Sequence, residues 1–469
     1  MKEIFKLSVA SKLLIVLIVC LSFVACSPAV QRKESLLCNV RVAMITPKEP
    51  VYLAGFANRN GMSDTIHRPL RTKCVVLKED TTTVCLVFND LMEVAKEYDD
   101  RIRKMIADSS HIPVANIFIL SSHSHSTPIM DAMHLNKSEA NDRYRESTIL
   151  AIAQNAIQTI NDKVKFTEAS SEIASAVCMM NTNRRAIDPK TGQAVIGKSD
   201  AGCDHEVQLL RLVNSNADVL ATIFNYACHP VTLGWASIAV SPDYVGKAEE
   251  VIAQKAGGQA FFMHGAAGDV NPINALGSSL SATDSEGIKL ADAVLAATFK
   301  KDTSALSMKV ISSSFIIPYR DQNITPAIID EQVKIKSAQK TDFKNWTEAV
   351  ATWGRRMKDE LGRDKELPKG RTVSIGALKL GSTVIFFTQG ELFNRYQTEL
   401  KKKFPQLHIL FAGYTNGEAG YVPDGEAFKA KGYEVDQAYI FIGEPSPLSN
   451  ETENFVMKNM EDIVRKVSE

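Results

Sequence analysis

The sequence predicts an α/β protein of mixed β-sheets flanked by helices, and three observations carry that prediction. Short apolar runs rich in Val, Ile, Leu and Phe alternate with longer amphipathic stretches of helical period. Neighbouring runs such as 74–77 and 84–88, joined through Glu79-Asp80, read as hairpins, so the sheets are expected to be mixed rather than purely parallel. Several runs also break into loops rich in Gly, Pro and small polar residues, as strands do at a sheet edge. Taken in order, strands are expected at residues 40–45, 74–77, 84–88, 117–120, 207–213, 219–226, 260–263, 311–317, 373–378, 384–388 and 409–412. Helical patterns fall at 98–107, 140–159, 244–256, 286–299, 326–338, 393–403 and 452–467. No internal repeat stands out. Residues 321–371 are the most polar section, either an inserted helical subdomain or lid, or a solvated face.

The first 25 residues read as an export signal rather than as part of the fold. Lys2, Lys6 and Lys12 precede an uncharged apolar stretch too short for a comfortable membrane span. The stretch closes on Phe23-Val24-Ala25-Cys26-Ser27, which resembles a bacterial lipoprotein cleavage site; Cys26 is then expected to carry lipid. An ordinary signal peptide cut near Ala25, or a retained anchor helix, is the plainer alternative. The expectation is an exported protein, lipid-anchored in the bacterial cell envelope, with one domain over residues 36–469. Lys plus Arg and Asp plus Glu balance at 54 each, so no net field draws nucleic acid or holds an anionic membrane. Cys38, Cys74, Cys85, Cys178, Cys203 and Cys228 show no CxxC spacing, which excludes a thiolate zinc ribbon.

Chemistry gathers where strands end. The run 117–120 opens into Ser121-Ser122-His123-Ser124-His125-Ser126-Thr127-Pro128. If the backbone stays extended there, His123 and His125 project from one face, able to share a metal or to divide metal binding from acid, base or donor work. A pair of polar loop histidines is the bland reading. The same grammar recurs at Ala227-Cys228-His229-Pro230, at His264-Gly265-Ala266-Ala267-Gly268-Asp269-Val270-Asn271-Pro272, at Gln389-Gly390-Glu391, and from Gly413 through Tyr414 to Tyr421. Histidines and a carboxylate gathered at one sheet edge are the donors a zinc ion takes.

Together these segments resemble the neutral ceramidases, non-lysosomal amidases that cleave the N-acyl bond of ceramide. The family's His-Thr-His-Ser-Gly-Pro loop is matched by His123 to Pro128, its His-Pro by His229-Pro230, and its Gly-Asp-Val by Gly268-Asp269-Val270. Its Asn-Arg pair is matched by Asn183-Arg184, its Gly-Glu by Gly390-Glu391, and its Tyr before a Tyr-Glu by Tyr421 ahead of Tyr433-Glu434. The resemblance implies zinc held by His123, His229, Glu391 and Tyr421, with Tyr414 a competitor for the last place. It implies hydrolysis of an amide by zinc-activated water, with His125 and Arg184, or Arg185 in its stead, facing the scissile carbonyl. For Glu391 the plain alternative is a carboxylate facing a helix N-terminus.

The chain departs from the family at Asn271, where ceramidases place a catalytic serine. An amide side chain is neither a nucleophile nor readily a base, so Asn271 is expected to donate to substrate, with Asp269 or His125 handling protons. His264 and His134 read as satisfied structural histidines. No C-terminal immunoglobulin-like domain is expected, because the sequence closes on the helix at 452–467. The expected partner is a lipid or other small-molecule amide, with a non-lipid amide or ester, or a non-catalytic binding lipoprotein, as rivals.

Overall fold

Three times along the chain the same run of elements appears: three strands paired antiparallel, a helix, a fourth strand parallel to the third, and a closing helix. The computed structural model describes residues 35–469, apart from 132–135, 137, 305–306, 340, 342, 365 and 418. The export signal, Cys26 and His134 lie outside the described residues. The first copy comprises β1 (Leu36–Met44), β2 (Arg71–Glu79), β3 (Thr82–Asn89), α1 (Lys96–Ser110), β4 (Ile117–Ser121) and α2 (Glu139–Asn161). The second comprises β5 (Thr167–Val177), β6 (Glu206–Val213), β7 (Val219–Tyr226), α3 (Asp243–Ala256), β8 (Gln259–His264) and α4 (Leu280–Leu295).

The third copy opens with β9 (Met308–Pro318), then carries two extra helices, α5 (Pro326–Ser337) and α6 (Trp346–Asp364). It continues with β10 (Gly370–Leu380), β11 (Thr383–Thr388), α7 (Asn394–Lys403), β12 (His408–Ala412) and α8 (Thr452–Ser468). The polar stretch 321–371 is thus an inserted helical pair. Its charges are mostly outward, while Trp346, Val350, Trp353 and Met357 bury one face.

The first two copies share one sheet, joined where β1 pairs antiparallel with β5; the third forms a separate four-stranded sheet. Strand alternation sorts the side chains into layers. Val75, Leu77, Phe118, Ile223, Phe261, Ile385 and Phe387 fill the space between the sheets, where Phe118 and Phe387 stack with centroids 3.8 Å apart. Their neighbours Cys74, Val76, Phe224, Phe262, Val384 and Phe386 point the other way, under the helices. The result is a helix, sheet, sheet, helix sandwich.

The strand expectations hold, with ends displaced by a few residues. The sequence reading missed β5, because its Thr, Ser and Glu alternate with small apolar residues and make no apolar run. It also started α4 late: that helix begins at Leu280, with the Ser279 side chain capping the amide of Ala282, and stops at Leu295. The described cysteines are free, Cys74 and Cys85 lying with sulfurs 3.5 Å apart on paired strands.

Candidate metal centre

The carboxyl ends of the parallel pairs β3–β4, β7–β8 and β11–β12 meet, and His123, His125, His229, His264, Glu391 and Tyr414 gather there. β4 reaches the loop after β12 through Ser121 N to Tyr414 O (3.1 Å) and Asn416 N to Ile119 O (2.8 Å). The end of β8 reaches it through Gly413 N to His264 O at 3.0 Å. Ligand sites form at such carboxyl ends because the chain must leave the sheet there in loops.

His123 does not continue the strand. β4 stops at Ser121, and His123 sits in the left-handed region at φ 64°, held by its amide to Leu91 O (2.9 Å). The alternation expected for an extended His123 and His125 is therefore broken, yet their rings still lie 5.0 Å apart. His229 is fixed by its amide to Val270 O (3.0 Å). Glu391 follows Gly390, whose φ of +84° and close approach to Gly420 O leave no room for a side chain.

The tautomers of two histidines follow from their partners. Nδ1 of His123 lies 3.0 Å from Met92 O, and Nδ1 of His229 lies 2.7 Å from Ala267 O. A carbonyl oxygen only accepts, so each Nδ1 carries the hydrogen and each Nε2 is a bare lone pair. Both Nε2 atoms point at one oxygen, Glu391 Oε2, at 3.3 and 3.1 Å. Among the described residues neither His229 Nε2 nor Glu391 Oε2 has a hydrogen-bond partner, and both are buried. An imidazole lone pair facing a carboxylate oxygen without a donor repels it unless a cation lies between them. Ligand atoms around a tetrahedral zinc sit roughly 3.3–3.5 Å apart, close to what is found here.

Burial alone would raise the Glu391 carboxyl, but the His123 and His229 imidazoles more than offset it and hold it well below the carboxylate range. Burial pushes His229 down to about 4 despite the pull of Glu391, so the imidazole is neutral and available as a donor. One nitrogen from each of His123, His125 and His229 also falls within 4.8 Å of the others. His125 is held neutral by burial first, then by its histidine neighbours, and among the described residues neither of its ring nitrogens has a partner.

Tyr421 pairs in parallel register with Glu391 on adjacent short strands, so the two share a neighbourhood. Its ring carries the Arg184 guanidinium at 5.4 Å. Tyr414 lies on the other side, 4.3 Å from the His123 ring and stacked on His264 at 4.2 Å. His264 is not a satisfied structural histidine as expected: it is buried, and among the described residues neither ring nitrogen finds a partner of ordinary geometry.

The two arginines separate. Arg184 donates from Nε to Glu434 Oε1 (3.1 Å) and from Nη1 to Asn271 Oδ1 (3.3 Å), alongside Tyr421. Arg185 turns away, binding Glu434 Oε2 and Lys431 O and lying over Phe393. Glu434, which the sequence reading used only to mark a motif, is the carboxylate that holds both. Asp269 is set back from the group: Oδ2 accepts from Asn183 Nδ2 and Oδ1 from the amide of Asn394, both at 2.7 Å. Burial raises its pKa to about 6, against those donors.

The sequence matches the family model described as neutral/alkaline non-lysosomal ceramidase, N-terminal, over residues 43–352. Among proteins of curated function none matches. The crystal structure of neutral ceramidase from Pseudomonas aeruginosa superposes with a TM-score of 0.65 at 16% identity, over 92% of this chain and 74% of that one. A structure described as ceramidase complexed with C2 gives 0.66 at 15% identity, over 92% and 76%. At such identities the likeness is one of fold, and it extends past the region that the family model matches. The chain belongs to the neutral/alkaline non-lysosomal ceramidase family.

Proposed function

We propose that the protein is a metal-dependent amide hydrolase that cleaves an N-acyl bond, with zinc held by His123, His229 and Glu391 and with Tyr421 as the fourth donor. One observation carries the reading: the Nε2 atoms of His123 and His229 converge on Glu391 Oε2, and among the described residues neither His229 Nε2 nor Glu391 Oε2 has a hydrogen-bond partner. Family membership supplies the reaction class, and ceramide or another N-acyl lipid is the substrate it suggests. When bound there, zinc supplies Lewis acidity and water of lowered pKa.

The remaining work falls to side chains of this chain. Arg184 presents a guanidinium fixed by Glu434, aimed where charge develops on the carbonyl oxygen. Asn271 keeps Arg184 in place through its Oδ1 and offers its amide hydrogens to the substrate. His125, neutral and with both nitrogens unengaged, can accept a proton at one and pass it to the departing amine. Asp269 positions rather than reacts, since both its oxygens hold neighbouring loops.

The test is metal analysis of the purified protein followed by hydrolysis of N-acyl lipids, simple amides and simple esters. About one zinc per chain, with amide cleavage that a chelator abolishes, supports the reading. Full activity in metal-free protein overturns it. From the leader sequence alone we also propose export and lipidation at Cys26, which Cys26→Ser should abolish, releasing the protein from membranes. Identical fractionation of variant and wild type would remove that proposal.

A further inference from the structure

Beside the proposed centre, Arg59 is a buried cation with no carboxylate partner among the described residues; Lys336, in the helical insert, likewise donates only to a main-chain oxygen, that of Asp436. Lys73 has Asp90 and Glu249, Arg184 and Arg185 have Glu434, and Arg371 has Glu444. Arg59, only 4% exposed, meets main-chain oxygens alone: Nη1 donates to Ala54 O (2.6 Å) and His125 O (2.7 Å), and Nε to Ser237 O (3.0 Å). Burial lowers its pKa to about 10, so it stays charged. A lone buried guanidinium costs stability, and it is kept where its geometry is needed.

What it ties together is specific. Ala54 precedes Phe56, His125 is the proposed proton carrier, and Ser237 lies two residues past Trp235. Arg59 therefore fastens the three loops that carry Phe56, His125 and Trp235, and its guanidinium lies 5.0 Å from the Phe56 ring. Phe56 leans on His125 with centroids 4.8 Å apart, and Trp235 meets Phe56 edge-on at 6.3 Å. Trp235 is 45% exposed although its loop is rigid: Gly234 N is bonded to Gly277 O (2.7 Å), and a side chain at Gly234 would strike the Leu276 backbone. A continuous aromatic shelf thus runs from His125 to solvent.

We infer that the Phe56–Trp235 shelf, buckled to His125 by Arg59, is the subsite for the apolar acyl chain of the substrate. This rests on the amide-hydrolase reading and adds to it which half of the molecule goes where. An N-acyl amide has an apolar half beyond the carbonyl and a polar half beyond the nitrogen. The centre has flanks of the same two kinds: Phe56 and Trp235 on the His125 side, and Arg184, Asn271 and Glu434 on the Tyr421 side. Hydroxyls of an amine half would go unpaired on the shelf, whereas methylenes placed there gain about 0.8 kcal/mol each on burial.

The indoles make the test direct. The chain has three tryptophans, and Trp346 and Trp353 are buried with their N–H groups on the carbonyls of Lys336 and Glu444. Sodium dodecanoate below its micelle concentration should change the Trp235 emission saturably, in metal-free and metal-loaded protein alike, and acetate should not. In catalysis kcat/KM should rise by an order of magnitude or more from N-acetyl to N-dodecanoyl amides. Trp235→Ala should flatten that rise, mainly through KM, and Arg59→Met should lower kcat and flatten it together. If Trp235→Ala lowers all chain lengths by one factor and dodecanoate leaves the emission unchanged, the subsite is overturned while the hydrolase stands. If dodecanoate binds at Trp235 but no amide of any length is cleaved, the reaction assignment falls and the acyl subsite remains.

Discussion

The second and third copies of the strand unit deliver their donors from one architectural position, and the first copy does not. His229 stands three residues beyond the end of β7, and Glu391 three residues beyond the end of β11. The matching place after β3 is Met92, which contributes only its main-chain oxygen, to Nδ1 of His123. The first copy supplies its donor from the other parallel strand instead, at His123 beyond β4. The same position thus holds a proposed ligand twice and the support of one once. A metal centre needs both: a donor atom, and a second contact that fixes which nitrogen it offers.

This contrast makes the strongest prediction. Glu391→Gln and His229→Ala should each weaken metal affinity by more than the roughly 10–100-fold typical of supporting contacts. Met92→Ala keeps the carbonyl and should change affinity by less than about 10-fold. Metal content after dialysis against graded chelator measures all three. Loss of metal in Met92→Ala as complete as in Glu391→Gln would show that the side chain, not the carbonyl, is what the first copy contributes.

The connections between first and second strands differ in a parallel way. In the first copy this connection brings Arg59, held by main-chain carbonyls; in the second it brings Arg184, paired with Glu434; in the third it is the helical pair α5 and α6. That pair closes on the first copy, with Lys344 N on Asn58 Oδ1 (2.8 Å), and Phe343 packs on Tyr433 at 5.1 Å, itself 5.8 Å from Tyr421. Arg184→Ala should keep metal and fold while kcat falls on the order of 100-fold, as for other lost oxyanion donors. Arg185→Ala should instead lower Tm with a much smaller change in kcat. Equal losses of kcat would mean that the Glu434 clamp acts as one unit.

A smaller effect is expected where the first copy touches the centre. Gly55 has φ +90°, and a Cβ there would lie 2.3 Å from His125 Cγ. Gly55→Ala should cost about 1–3 kcal/mol, from backbone strain and displacement of the ring. Denaturant unfolding with and without metal measures it. An unchanged midpoint would show that the His125 loop yields freely.

Much of this was legible in the sequence because it is local. Each of His123, His229 and Glu391 follows an apolar run directly, so a strand end and a donor are written side by side. The threefold repeat was not legible. Its copies keep strand order and burial but not residues: Ser121, His264 and Gly413 occupy equivalent strand-end places with unrelated side chains. The Glu434 clamp and the Arg59 buckle were also hidden, since they join residues up to 250 apart in sequence and leave no periodic trace. The one irregularity legible in advance, two histidines in a strand-like context, came together for a different reason. The left-handed turn at His123, not strand alternation, places them.

The finest test concerns Asn271, where the second copy replaces the family's serine with an amide. Its Oδ1 accepts from Arg184 Nη1 at 3.3 Å, a contact that shares Arg184 with the stronger Glu434 carboxylate. A hydrogen bond to a charged group typically contributes about 1.5–3 kcal/mol, and with Glu434 still holding Arg184 the loss should fall at the low end, so Asn271→Ala should slow kcat roughly 10-fold. Because an amide cannot attack a carbonyl, wild type should show no burst of released amine in pre-steady-state hydrolysis. Asn271→Ser restores a hydroxyl at that place, and its ceramide cleavage at equal metal occupancy should be at least that of Asn271→Ala. If Asn271→Ala instead falls as far as Arg184→Ala, the Asn271 amide itself must contact the reacting carbonyl. The oxyanion would then be held from both strands of the short pair that joins residues 181–183 to 270–272, rather than by the arginine alone.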